Sequence, residues 1–254
     1  MKRLLVVPFV CGLIALFGIL LPDQQAQIYY RGVLVVVALL TAINSFITAR
    51  KFDSSDRLYL SWFLLGAGYT VASVRYLLRI YLLLTGSGVT NPYVLNGLLI
   101  LQNVLVPISL FLFVRAWQAT GLAAPGSAGA HHISILLGVI VAVIVGGFPL
   151  IRGFATVQAD LVGLVSTLGD MVSIALIVPL MMPALALRGG SLMHTWAYLT
   201  AGIITWLVYD IWYALRATMP LQPNVARGIE EAIRVVAIMF ACIASIAQRR
   251  AIRV

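Results

Sequence analysis

Seven ionisable side chains interrupt stretches otherwise apolar enough to enter a bilayer: Arg75, Arg79, Asp170, Asp210, Glu230, Glu231 and Arg234. A carboxylate at the centre of a membrane helix costs about 2.5–3.5 kcal/mol on insertion scales, so each needs a partner. Asp210 stands among Trp206, Tyr209, Trp212 and Tyr213 in the run TWAYLTAGIITWLVYDIWYALR, residues 195–216. Arg75 and Arg79 are one turn apart on one helix face, with Tyr76 between them. Asp170 shares a face with Ser166 and Ser173, and Glu230 stands four residues before Arg234. Asn103, with Asn96 and Gln102, brings amides to the same level. Carboxylates and guanidiniums at comparable depth predict an inward-facing network, because arginine's planar fork matches a carboxylate.

Three roles fit such a network. It is an ion-pair lock that fixes helix packing, a pocket for a ligand or ion, or a set of side chains snorkelling to the interface. The pocket reading predicts a cavity reaching Arg75, Asp170 and Asp210 from the outer side, with Tyr76, Trp206, Tyr209 and Tyr213 as its aromatic lining. Trp206, Tyr209, Trp212 and Tyr213 fit an interfacial belt more readily than a ligand cage.

Other chemistries find no support. A retinal Schiff base needs a lysine inside a span, and Lys2 and Lys51 lie at span ends. Membrane haem needs facing histidines within the bilayer, whereas His131, His132 and His194 fall in loops or at span ends. No metal site, cofactor or catalytic group is expected, and His131–His132 has no third ligand. Glu230, Glu231 and Arg234 depart from the glutamate-pair motif of CAAX-processing intramembrane proteases. That motif spaces its arginine one residue further away and needs histidines within spans. Cys11 and Cys242 sit in apolar segments without metal-ligand spacing and read as small buried hydrophobes.

The elements that must position these groups are membrane helices. The chain has 254 residues, 62% hydrophobic and 10% charged, against about 45–50% and about 25% for soluble domains. Hydropathy places eight spans at roughly 4–22, 29–49, 58–84, 92–118, 133–152, 160–187, 193–216 and 228–248. The fold class is therefore an all-α, polytopic membrane protein of one domain. Pro107, Pro149, Pro179 and Pro183 predict kinks or local unwinding. Gly12, Gly18, Gly66 and Gly68 permit close helix contact. With the N-terminus inside, Lys2, Arg3, Arg50, Lys51, Arg57, Arg115, Arg188, Arg249, Arg250 and Arg253 fall on the inner side. Arg31, Arg152, Arg216 and Arg227 fall on the outer side. That bias predicts both termini in the cytoplasm. The net charge of +9 then reports topology, and no solvated basic patch points to nucleic acid.

A shift of 134 residues lays Trp62 on Trp196, Gly68 on Gly202, Gly12 on Gly146 and Arg115 on Arg249. It predicts two parallel halves of four spans, near residues 1–125 and 130–254.

The run over residues 168–215 carries Leu168-Gly169-Asp170, Gly189-Gly190, Trp196 and Asp210 to Tyr213. In these features it resembles the multi-spanning N-terminal sensor regions of bacterial diguanylate cyclases and membrane histidine kinases. Those regions precede cytoplasmic catalytic domains, whereas this chain ends with its last helix. The resemblance implies a non-enzymatic sensor-like module in a bacterial cytoplasmic membrane. Its partners would be membrane lipids, a small-molecule or lipid ligand from the outer side, and a partner membrane or signalling protein. A small proton-coupled carrier and an accessory subunit of a larger membrane complex are the alternatives.

Overall fold

The computed structural model describes residues 2–86, 92–119, 133, 136–140, 142–143, 161–216 and 219–252. The expected span 133–152 lies largely outside the described residues, as do the loop before it, His131, His132, Gly146, Pro149 and Arg152. The described residues are almost entirely helical, and none is in a strand. The helices are α1 (Lys2–Leu16), α2 (Asp23–Ala49), α3 (Arg57–Thr85), α4 (Pro92–Ala119), α5 (Leu161–Ala175), α6 (Ile177–Ala186), α7 (Met193–Leu215) and α8 (Pro223–Ile252). A 3-10 turn, Phe17–Leu20, extends α1.

Local chemistry sets several of these boundaries. The Asp56 carboxylate caps α3 by accepting the Leu58 amide at 2.8 Å, and Gly86 ends the helix at φ 61°. Pro107 does not unwind its span: α4 continues through it as one helix. Pro179 does interrupt. It cannot donate to the Ala175 carbonyl four residues back, and α5 ends at Ala175. The Leu176 amide there is shared between the Val172 and Ser173 carbonyls, both at 3.2 Å.

Among the described residues, three helices are long and apolar enough to cross a membrane: Asp23–Ala49, Tyr93–Ala119, and Leu164–Ala186 through the α5–α6 break. Leu4–Leu20 is a shorter apolar helix. The helices α3, α7 and α8 have 29, 23 and 30 residues but carry the ionisable groups.

The centre of the bundle is α8, against which α1, α2 and α7 pack. From α2 the contacts run to α3, α4 and α5, and α6 returns to α7. The chain from α2 to α8 therefore closes a ring. Along α8, Ala237, Ala241, Ala244 and Ala247 are buried, and their small size lets neighbouring backbones approach. Thr41 and Thr48 of α2 point their hydroxyls at α8, 3.3 Å from the Ile238 carbonyl and 3.0 Å from that of Ser245. On the outside of the ring, Leu101, Val104, Ile108 and Phe111 form an exposed apolar stripe on α4.

The ring is layered along its length. One end is aromatic: Phe113 lies 4.7 Å from Trp62 and 6.1 Å from Trp196, which in turn is 6.1 Å from Trp117. A cavity follows, and the charged residues occupy the other end.

Gly202 sits where α7 crosses α8. A Cβ there would meet the Ala237 carbonyl at 3.2 Å and Phe240 Cβ at 3.3 Å, whereas one at Gly32 would meet nothing within 4 Å. Gly202→Val is expected to cost about 1–3 kcal/mol by overpacking and Gly32→Ala to cost nothing, as read by thermal unfolding of the detergent-solubilised protein.

Candidate functional site

The charged end is built on α8, where Glu230, Glu231 and Arg234 fall within one turn and a half. Glu230 and Glu231 are only 6% and 2% exposed, so every carboxylate oxygen must be satisfied. All four are. Glu231 Oε1 accepts from Arg31 at 3.2 Å and its Oε2 from Arg234 at 2.8 Å. Glu230 Oε1 accepts from Arg234 at 3.1 Å, and its Oε2 accepts from Arg216. The result is an alternating chain, Arg31–Glu231–Arg234–Glu230–Arg216, which ties α2 and the end of α7 to α8. Tyrosines back it. Arg234 donates to the Tyr209 hydroxyl and lies 4.6 Å from that ring's centroid, and Arg216 lies 4.1 Å from the Tyr213 ring. Arg31 stands 6.0 Å from the ring of Tyr76. At the rim, Arg227 pairs with exposed Asp23 at 2.6 Å.

Below the chain lies a partly open cavity of about 70 Å³ between α3, α4, α5, α7 and α8, room for a few waters. Asp170 is its carboxylate, and Trp206 Nε1 donates to Asp170 Oδ1 at 3.1 Å. Gln102 and Asn103 line the facing wall. Asn103 Nδ2 donates to Ser166 Oγ at 2.8 Å, while Gln102 Oε1 is buried with no hydrogen-bond partner. Asp210 lies one turn beyond Trp206, and its Oδ2 is likewise buried and unpartnered. The charges that act on Asp210 are Asp170 and Arg234. The unused polar capacity around the cavity is thus made of acceptors.

Four pairs of residues 134 apart line this cavity: Leu65 with Leu199, Tyr69 with Ile203, Asn103 with Ala237, and Pro107 with Ala241. The first two pairs put α3 opposite α7, and the last two put α4 opposite α8.

Two expectations need correction. The cavity reaches Asp170, but neither Arg75 nor Asp210 is among the residues that line it, because Trp206 and the turn above it intervene. Arg75 and Arg79 join no ion pair among the described residues, because every glutamate oxygen is taken by other arginines. The aromatics are also turned inward more than a belt requires: Trp206 serves Asp170, Tyr209 serves Arg234, and Trp212 Nε1 donates to the Ala226 carbonyl at 3.2 Å. Tyr213 is about half exposed. Sequence reasoning missed Arg31 and Arg216, read as topology signals at span ends. Glu230 and Glu231 were the clue, since two adjacent buried acids need more donors than Arg234 alone supplies.

Among the described residues no group of three or more His, Cys, Asp or Glu could hold a metal ion. Comparison with protein-family models, curated proteins and solved structures gives no match.

Removing one partner of a buried pair leaves the other charge stranded, at a cost of about 3–5 kcal/mol. Glu231→Ala is expected to lose that much, and the double variant with Arg31→Ala to lose less than the two single changes summed. Asp23→Ala, which breaks the exposed rim pair, is expected to cost about 0–1 kcal/mol. Thermal unfolding of these four variants beside the unsubstituted protein in one detergent measures all of these.

Proposed function

We propose that the chain is a polytopic membrane module, without enzymatic activity of its own, whose Asp170 cavity takes a small ligand and passes its occupancy to the charge chain above. The observation that carries this reading is the cavity's chemistry. A mostly apolar chamber holds one carboxylate, one buried amide oxygen without a donor, and an indole fixed on the carboxylate. Apolar walls with a few convergent polar groups are the usual form of a ligand site. Because the free groups are acceptors, the ligand end that suits them is cationic or rich in N–H donors.

The route for occupancy runs along α7. Trp206 touches Asp170, and Tyr209, less than a turn further, touches Arg234. A ligand that takes Asp170 from Trp206 changes what α7 presents to α8. The helices at work on this route, α5 and α7, are those whose Asp170 and Asp210 carry the resemblance to membrane sensor regions.

The reading places eight spans in a bacterial cytoplasmic membrane, with both termini cytoplasmic and the charged end outside. The 134-residue offset supports two parallel four-span halves, since four pairs of residues related by it line the same cavity. On that arrangement the ligand sits near the axis relating the halves, where transporters and receptors of duplicated design also place theirs. A proton-coupled carrier is the second reading, favoured by two carboxylates close to Trp206: Asp170, which it holds, and Asp210, one turn beyond it with a buried unpartnered oxygen. Flux in proteoliposomes that survives Asp170→Asn with Asp210→Asn would remove it.

The test uses sodium and a series of primary alkylammonium ions on the purified protein, read by tryptophan fluorescence and thermal shift. At least one is expected to give a saturable response that Asp170→Asn weakens at least tenfold while the variant stays folded. No response from any of them, or one indifferent to Asp170→Asn, contradicts the reading.

A further inference from the structure

Arg75 and Arg79 are the cations that the charge chain leaves over. They lie on one face of α3, one turn apart, and both are partly buried. Neither pairs with a carboxylate among the described residues. Arg75 Nε is buried without a hydrogen-bond partner. The charged groups acting on Arg75 are other guanidiniums, those of Arg79, Arg234 and Arg31. Glu231 acts on Arg79, but both its oxygens already hold Arg31 and Arg234.

The 134-residue offset sharpens the imbalance. Arg75 and Arg79 correspond to Tyr209 and Tyr213, while Glu230 and Glu231 correspond to Asn96 and Gly97. On the matched helices the first half thus has arginine where the second has tyrosine, and at the glutamate positions it has no acid. Like charges one turn apart repel, and withdrawing them from water without a counter-charge opposes folding.

We infer that Arg75 and Arg79, with Arg31 beside them, hold a phosphate group that enters from the charged end. The inference rests on the reading of the chain as a membrane module. Guanidinium forks match pairs of phosphate oxygens, and two of them one turn apart can clamp a single group. The depth suits it. At about 1.5 Å per residue, Arg79 lies about 9 Å from the end of α3 and Arg75 about 15 Å. A 29-residue helix overhangs a hydrocarbon core of about 30 Å by roughly 6–7 Å at each end. Arg79 then sits just under the headgroup boundary, and both side chains reach toward it. A lipid headgroup and a free phosphate present the same chemistry there.

The experiment uses the full chain, delipidated in neutral detergent, with three probes: dihexanoyl-phosphatidylglycerol, dihexanoyl-phosphatidylcholine and inorganic phosphate. Thermal shift reads binding, and native mass spectrometry reads the bound mass. Saturable stabilisation by a short-chain lipid, weakened at least tenfold in Arg75→Gln with Arg79→Gln, supports a headgroup site. The same result with inorganic phosphate alone supports a free-anion site. Arg75→Lys keeps the charge and loses the fork, so it is expected to stay folded and still bind at least tenfold more weakly. Exposed Arg115→Gln serves as the neutral control.

No stabilisation by any probe, or equal stabilisation of the double glutamine variant, overturns the inference. So does a Tm loss in Asp160→Asn that is equal to, and non-additive with, that of Arg75→Gln. Asp160 is the one acidic side chain outside the described residues, and that result would make it the counter-charge. Asp170→Asn should leave the phosphate response intact. A lost phosphate response beside an intact alkylammonium response would thus overturn this site alone.

Discussion

Arg234 holds both glutamates of the chain, and the rest of the charged end follows from that arrangement. Two adjacent acids buried on α8 present four oxygens, and one guanidinium satisfies only two of them. The remaining two draw Arg31 from α2 and Arg216 from the end of α7. Each of those contacts fixes a neighbouring helix against α8 at a defined height, which nonspecific apolar packing in lipid does poorly. With the glutamates so fully satisfied, Arg75 and Arg79 on α3 pair with no carboxylate among the described residues.

The bundle inverts the usual relation between hydropathy and depth. The spans that stand out by composition, α2, α4 and the pair α5–α6, are respectively half, one third and about one fifth buried over their most apolar windows. The most enclosed helix, α8, does not stand out. It is surrounded by other helices instead of lipid, so it tolerates Glu230, Glu231 and Arg234 at one end and depends on alanine for close approach along the rest. The hydrophobic signal in such a sequence marks the rim, and the working residues lie where that signal weakens.

Much of the arrangement was legible for that reason. An isolated acid in an apolar run is costly enough to identify itself, so Asp170, Asp210, Glu230 and Glu231 could be picked out one by one, and the helical class follows from composition alone. The Glu230–Arg234 contact follows from helical spacing. Which arginine meets which acid across helices was not legible, because hydropathy carries no information on rotation about a helix axis. Arg31 and Arg216 sit at span ends, where lysine and arginine are common for topological reasons, and their structural contacts are indistinguishable there from that background. Pro107 and Pro179 look alike in the sequence, yet the helix runs on through Pro107 and is interrupted before Pro179.

The central claim is that the acids of α8 are met by arginines of other helices away from lipid. The chain has only two glutamates, Glu230 and Glu231, so a solid-state NMR sample with 13C at glutamate carboxyls and 15N at arginine guanidiniums contains two carbon sites. With N···O contacts of 2.8 to 3.2 Å at three of their oxygens, both carbons should show strong dipolar dephasing by guanidinium nitrogen in lipid bilayers, and Arg31→Lys should weaken it at Glu231 alone. Two carboxyl signals with no guanidinium dephasing would contradict the account.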